Sequence, residues 1–292
     1  MRDFLGLSVL TPATFNALLD CADALKRHTT HALPGRILAM IFEKPSMRTR
    51  LSFEVAMIQL GGTALDVLPT PERMGKRESI PDMARVLSRY ADAVVIRCFS
   101  QDDIEAFAAA SQVPVINGLS NMFHPCQAMA DMMTIREKFE TLAGLKLSYL
   151  GDVNNVSRSL AEATALAGMK MAIACPSAYM GDIRRYDHVQ VFTDPAQAVK
   201  DADVVYTDVW TSMGQEEESQ SRRKAFAPFT VTPTIMAAAK SGAIFMHCLP
   251  AHRGEEVDDA VIENPQSVVF DQAENRLHIQ KAILVWLLGG KS

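Results

Sequence analysis

The chain has 292 residues, 48% hydrophobic and 22% charged, and 34 acidic against 29 basic residues leave a formal charge of −5. At roughly 100–200 residues per domain that length predicts two domains with ample core, and the composition excludes disordered, collagenous and coiled-coil chains. A net acidic chain offers no global field to nucleic acid or an anionic membrane, so an anionic ligand has to be held by a local cluster.

In chain order, Thr11-Pro12 places a capping oxygen before a proline at the first helical position, where the missing N–H costs nothing; Asp194-Pro195 and Thr232-Pro233 repeat the device. The apolar run Ile37–Phe42 comes next, then a segment from Glu43 to Arg50 leading into an amphipathic helix marked by Leu51, Val55 and Ile58. Ala93–Ile96, Leu147–Leu150, Met171–Ala174, Val204–Tyr206 and Ile244–Met246 are further short apolar runs bounded by turn signals, which read as strands covered on both faces. A helical stretch follows His124 and ends near Lys138, and Leu142-Ala143-Gly144 then leads into a fresh strand. The last helix, Glu274–Leu288, carries Ile279, Ile283, Val285, Trp286 and Leu287 and has to dock on protein. The prediction is an α/β chain of two domains, each a central mainly parallel sheet flanked by helices. They cover 1–138 and 139–271, with a terminal helix 272–292 packing back on the first and the active site in the interdomain cleft.

No apolar run approaches the roughly 18–20 residues of a membrane span, and the N-terminal MRDFLGLSVL does not make a signal peptide, so a cytoplasmic protein without membrane or nucleic-acid partners is expected. Cys21, Cys98, Cys126, Cys175 and Cys248 are odd in number and widely spaced, which predicts free thiols and neither a disulfide framework nor a zinc site.

Four constellations carry chemistry. In Glu43-Lys44-Pro45-Ser46-Met47-Arg48-Thr49-Arg50, proline ends a strand, Ser46 caps a helix, and the free N–H groups of its first turn meet Arg48, Thr49 and the positive end of the dipole. That arrangement suits phosphate; an ordinary capped helix with surface arginines is the alternative. There is no Walker loop or G-x-G-x-x-G, which disfavours nucleotides. In Asn121-Met122-Phe123-His124-Pro125-Cys126-Gln127, His124 stands at a helix mouth, where an imidazole stays neutral and donates to a carbonyl or oxyanion, unless it is a satisfied structural histidine. Asp208 opens Asp208-Val209-Trp210-Thr211-Ser212-Met213-Gly214 at the carboxyl end of a strand, where open α/β sheets bind ligands, or else it caps a loop. His247-Cys248-Leu249-Pro250 also follows a buried strand, and His247 and His252 lack the spacing of a zinc motif. The acid-then-base run Glu216-Glu217-Glu218 to Arg222-Arg223-Lys224 reads as a solvated helix satisfying its own dipole, without chemistry.

Together and in order, PSMRTR (45–50), the arginine of VIRCF (95–99), NMFHPCQ (121–127), GDVNN (151–155), DVWTSMG (208–214), HCLP (247–250) and AENR (273–276) resemble the ornithine carbamoyltransferase family over the whole chain. The resemblance implies a first domain for carbamoyl phosphate, a second for L-ornithine, a homotrimer or multiple of trimers, citrulline and phosphate as products, and no cofactor or metal. Carried over by position, Ser46, Met47, Arg48 and Thr49 hold the phosphate, Arg97 reaches phosphate and carbonyl oxygen, His124 polarises that oxygen, and Gln127 binds the carbamoyl amide. Asn155, Asp208, Ser212 and Met213 take ornithine, while Cys248, Leu249 and Arg276 complete the reacting end as carbamoyl phosphate-binding residues.

The chemistry of these residue types agrees: a δ-ammonium with a pKa of about 10 has to lose a proton before it attacks, and Asp208 and Cys248 are the groups to orient it or accept that proton. Two positions depart from the family. Met47 replaces a usual threonine, removing a hydroxyl but keeping the N–H. Arg73 stands where glutamine or histidine commonly reaches carbamoyl phosphate from a neighbouring subunit, which brings an extra cation. Aspartate carbamoyltransferase, transferases for putrescine or N-acylated ornithine, and a catalytically silent scaffold are the competing readings. Aspartate requires cations for its second carboxylate, whereas Asp208 suits an aminated side chain.

Overall fold

The computed structural model describes residues 3–28, 30–67, 73–211 and 218–289. The chain divides into two compact units, residues 1–133 with 274–292, and residues 134–273.

The first unit contains α1 (Pro12–Arg27), β1 (Ile37–Phe42), α2 (Met47–Gln59), β2 (Thr63–Asp66), α3 (Ile80–Leu87), β3 (Ala93–Arg97), α4 (Gln101–Ala110), β4 (Val115–Leu119) and most of α5 (Pro125–Phe139). The second contains β5 (Lys146–Leu150), α6 (Asn155–Leu166), β6 (Lys170–Ala174), β7 (Val189–Phe192), α7 (Pro195–Val199), β8 (Val204–Thr207), α8 (Ser219–Phe226), α9 (Pro233–Ala237), β9 (Ile244–His247) and α10 (Asp259–Ile262). In α11 (Val269–Leu288) the chain passes back into the first unit at Glu274. The other passage falls at Met133–Thr134, inside α5 and five residues before the boundary at 138 that the sequence implies, because the helix runs on across it.

The three Thr/Asp–Pro signals are helix starts: Thr11, Asp194 and Thr232 each accept a backbone N–H of the following turn. The first sheet is parallel in the order β2-β1-β3-β4, the second parallel in the order β7-β6-β5-β8-β9. Every residue of β3 and β8 is buried, as strands covered on both faces require. On one face of the first sheet Ile41, Val94 and Ile96 pack with Ile104 and Phe107; in the second, Leu150, Ala172, Val205 and Phe245 pack with Val231 and Val261.

Strand order also selects the ligand-binding ends. In the first sheet β1 connects outward to β2 and β3 outward to β4, so the order reverses between β1 and β3. In the second, β5 leads through β6 to β7 on one side and β8 leads to β9 on the other. Open parallel sheets bind ligands at the carboxyl ends of strands flanking such a reversal. Those ends carry the 43–50 segment and Arg97 in one unit, Gly151–Asn155 and Asp208 in the other.

Candidate active site

In the first unit, Ser46 caps α2 by accepting the Thr49 N–H at 3.2 Å, leaving the other N–H groups of that turn facing outward beside Arg48. Thr49 is buried, and its hydroxyl oxygen accepts from Arg276 Nη2 at 3.0 Å and Arg97 Nη1 at 3.5 Å. With two guanidinium donors on its oxygen, the hydroxyl hydrogen is what Thr49 has left to give a ligand. Arg276 also donates to Gln127 Oε1 at 2.5 Å, and Gln127 Nε2 donates to Asp131 at 2.8 Å, which orients the Gln127 amide. His124 is buried at the mouth of α5; burial first, then Arg276, Arg97 and Arg48, holds its pKa well below 6.5, so the imidazole is neutral. Ser46, Arg48, Thr49, Arg97, His124, Gln127 and Arg276 are thus gathered within one unit. Met47 begins α2 and its side chain is exposed.

Sequence reasoning missed Lys44. It is buried at the end of β1, donates to Asn121 Oδ1 at 2.6 Å, and lies 4.2 Å from the Phe99 ring centroid. Burial, with Arg97 the next cause, pulls its pKa down to about 8. Arg73 lies over the same ring at 4.8 Å, and Glu43 holds the adjoining loop by accepting the Met74 N–H at 2.7 Å. Within its own chain, then, Arg73 stands with Lys44. The sequence signal was a lysine between a buried strand and a proline, where it cannot reach solvent freely.

In the second unit Asp208 follows β8 directly. One carboxylate oxygen accepts from Asn154 Nδ2 at 2.9 Å, the other from Cys248 Sγ at 3.1 Å. Asn154, which the sequence reading passed over for its neighbour Asn155, caps α6 in a reciprocal box with Ser157 and so fixes its own amide toward Asp208. Asn155 begins α6 and is partly exposed. Leu249 belongs to this unit with Cys248. Ser212 and Met213 lie outside the described residues.

The basic run of α8 requires a correction. Arg222 is not a solvated face: it is buried, pairs with Asp152, and donates to the Trp210 carbonyl at 2.6 Å. Burial raises the Asp152 carboxyl above its ordinary value despite that guanidinium. The residue ties the loop after β5 to the loop after β8, and the pattern hid it because charge order on a helix does not report which face is covered. Glu216 and Glu217 lie outside the described residues.

All five cysteines are free, and burial pushes the Cys98, Cys126 and Cys175 thiols up to about 12. Among the described residues two groups place three metal-capable atoms within 4.8 Å: Asp208 with His247 and Cys248, and His252 with Glu255 and Glu256. In the first, both His247 nitrogens are engaged, with Glu256 at 3.1 Å and the Leu249 N–H at 2.8 Å. In the second, His252 Nδ1 is 4.0 Å from an oxygen of each carboxylate, an ion-pair spacing. No described helix is long and apolar enough to cross a membrane.

Residues 2–137 match the carbamoyl-P binding domain of aspartate/ornithine carbamoyltransferases, and residues 143–287 match their Asp/Orn binding domain. The chain belongs to this family. It is 50% identical to an ornithine carbamoyltransferase of Pyrococcus horikoshii, over 99% of this chain and 96% of that protein, and 49% identical to one of Acidothermus cellulolyticus, over 99% and 97%. The solved ornithine carbamoyltransferase of Pyrococcus furiosus is similar at a TM-score of 0.95 and 48% identity, covering 100% of this chain and 98% of that one. That of Thermus thermophilus gives 0.91 and 41%, with 98% of each covered. The family assignment bears out both the parallel two-sheet α/β fold and the resemblance read from seven motifs.

Proposed function

We propose that the chain transfers the carbamoyl group of carbamoyl phosphate to the δ-amine of L-ornithine, giving L-citrulline and phosphate by direct attack through a tetrahedral intermediate. One observation carries the assignment of residues: Arg97, Arg276, the Thr49 hydroxyl and a neutral His124 share one unit with the open helix end at Ser46–Thr49, while Asp208, Asn154 and Cys248 share the other.

The phosphate takes the N–H groups of α2, Arg48 and Arg97, so the negative charge that has to leave is already balanced. The carbamoyl oxygen takes hydrogen bonds from Arg97, His124 and Thr49; its amide takes Gln127. As nitrogen bonds to the carbon, the C=O electrons move onto that oxygen, where the same donors meet the growing charge. The amine proton passes to Asp208, either directly or through Cys248 as the thiol hydrogen moves onto the Asp208 carboxylate, or onward to the departing phosphate; the C–O bond to phosphate breaks, and the carbonyl re-forms. Asp208 and Asn155, with Ser212 and Met213, take the ornithine ammonium and α-amino acid groups. An anionic Asp208 repels a second substrate carboxylate, which favours ornithine over aspartate.

The chain assembles as a homotrimer in this reading. Met47, Leu51 and Ile58 recur at helical spacing along one face of α2 and are exposed by 73%, 55% and 68%, with Leu65 of β2 also exposed. A second copy covers such a stripe at a gain of about 25 cal/mol per Å² of apolar surface buried.

The test is a substrate panel scored for carbamoylated product without added metal: citrulline from ornithine is expected, and faster reaction with aspartate or putrescine overturns the substrate assignment.

A further inference from the structure

We propose that Glu256, acting through His247, is a positioning residue that holds Cys248 and Leu249 at the reacting end. This rests on the reading above that Cys248 and Leu249 stand there.

Residues 247–252 leave β9 through Leu249, whose φ of +57° is a left-handed conformation that a leucine does not keep unaided. The Leu249 N–H donates to His247 Nδ1 at 2.8 Å. Nδ1 is therefore the unprotonated nitrogen, and the ring hydrogen sits on Nε2, 3.1 Å from Glu256 Oε1. That same carboxylate oxygen accepts the His252 N–H at 2.6 Å. One oxygen thus ties both ends of the segment, and the imidazole between passes the restraint to Leu249. The His247 backbone is held as well: its N–H donates to Gln272 Oε1 at 2.9 Å, and Gln272 Nε2 donates to the Tyr206 hydroxyl at 3.0 Å. His247, Glu256 and Gln272 are all fully buried, so none of them touches substrate. What the relay presents is Cys248, whose thiol reaches Asp208 at 3.1 Å.

A carboxylate is suited to this task because an anionic acceptor takes two N–H donors at once and selects the Nε2–H tautomer by charge. Without it the ring is free to place hydrogen on Nδ1, facing the Leu249 N–H donor to donor, and the segment has to move. A misplacement of ~1 Å near reacting atoms costs on the order of 10²-fold in rate.

The experiment compares Glu256→Ala, Glu256→Gln and Cys248→Ala with the native enzyme. In Glu256→Ala, kcat/KM for ornithine is expected to fall on the order of 10²-fold while carbamoyl phosphate affinity by calorimetry stays within about twofold, because the groups assigned to its phosphate, Ser46 to Thr49 and Arg97, lie in the other unit. Glu256→Gln keeps an acceptor oxygen and is expected to recover most of the loss. Heteronuclear NMR of the native enzyme should show His247 protonated at Nε2, a readout that needs no variant to fold. Hydrogen on Nδ1 in the native enzyme, an equal loss in both substrates, or no recovery by glutamine overturns the proposal. Cys248→Ala separates the two levels of inference: unchanged kinetics there removes the reading of Cys248, and with it the reason for the relay, while the NMR result still reports the relay itself.

Discussion

His124 and Lys44 show how burial assigns roles within one unit. Both lie among arginines, and both are pushed toward their neutral forms, yet the consequences differ. A neutral imidazole remains a donor to an oxyanion, and no ionisation of His124 should appear in the rate profile near neutral pH. Replacing it with alanine should lower kcat by ~10²–10³, the usual cost of one oxyanion donor, with the binding of carbamoyl phosphate less affected. Lys44 loses what it offers when it loses its proton. Its value of about 8 means that its charge is present below that pH and disappears as pH rises through it. Carbamoyl phosphate should therefore bind more weakly at about pH 9 than at about pH 7, and Lys44→Met should flatten that dependence in calorimetric titrations. Stability runs the other way. Between about 8 and the ordinary 10.5 the unfolded chain binds a proton that the folded chain does not, so Lys44 makes folding more favourable as pH rises through that window. Asp208→Asn keeps the shape and its bond from Asn154 but loses the charge; ornithine use should suffer far more than carbamoyl phosphate affinity, and the reverse pattern would reject its assignment.

At the scale of elements, α8 is decided by Arg222. Removing one partner of a buried pair leaves an uncompensated charge, so Arg222→Ala should cost roughly 3–5 kcal/mol in denaturant unfolding. A value near zero would mean that Asp152 finds another partner. The six strands legible in the sequence are those covered on both faces, where a continuous apolar run is required. The three it hid have physical reasons. β2 and β7 are edge strands, half exposed, whose residues need no apolar pattern. β4 also ends its sheet, yet it is fully buried, with Ile116 bridged to Phe4, and it contains Asn117-Gly118, a turn signal on its face. Tertiary contacts override it: the Asn117 amide donates to the Leu5 carbonyl at 2.9 Å and to Gln101 Oε1 at 3.1 Å, so both N–H hydrogens of this polar side chain are paired inside the sheet, while its Oδ1 is buried without a partner among the described residues.

At the scale of the whole molecule, the exposed stripe on α2 makes the proposed homotrimer testable. Ile58→Glu should lower the sedimenting mass from trimer to monomer, and an unchanged mass would remove the stripe from the interface. The motif order along the chain was enough to determine the family and the reaction class, because these depend on local chemistry: a capped helix start among arginines, a histidine at a helix mouth, a carboxylate after a strand. Only the tertiary structure decided which of them act together. Arg276 meets Thr49 across 227 positions of sequence, Asn154 turns toward Asp208, Arg222 goes inward, and Glu256 reaches His247. Such pairings cost chain entropy that only a formed core repays, so no short window of residues contains them.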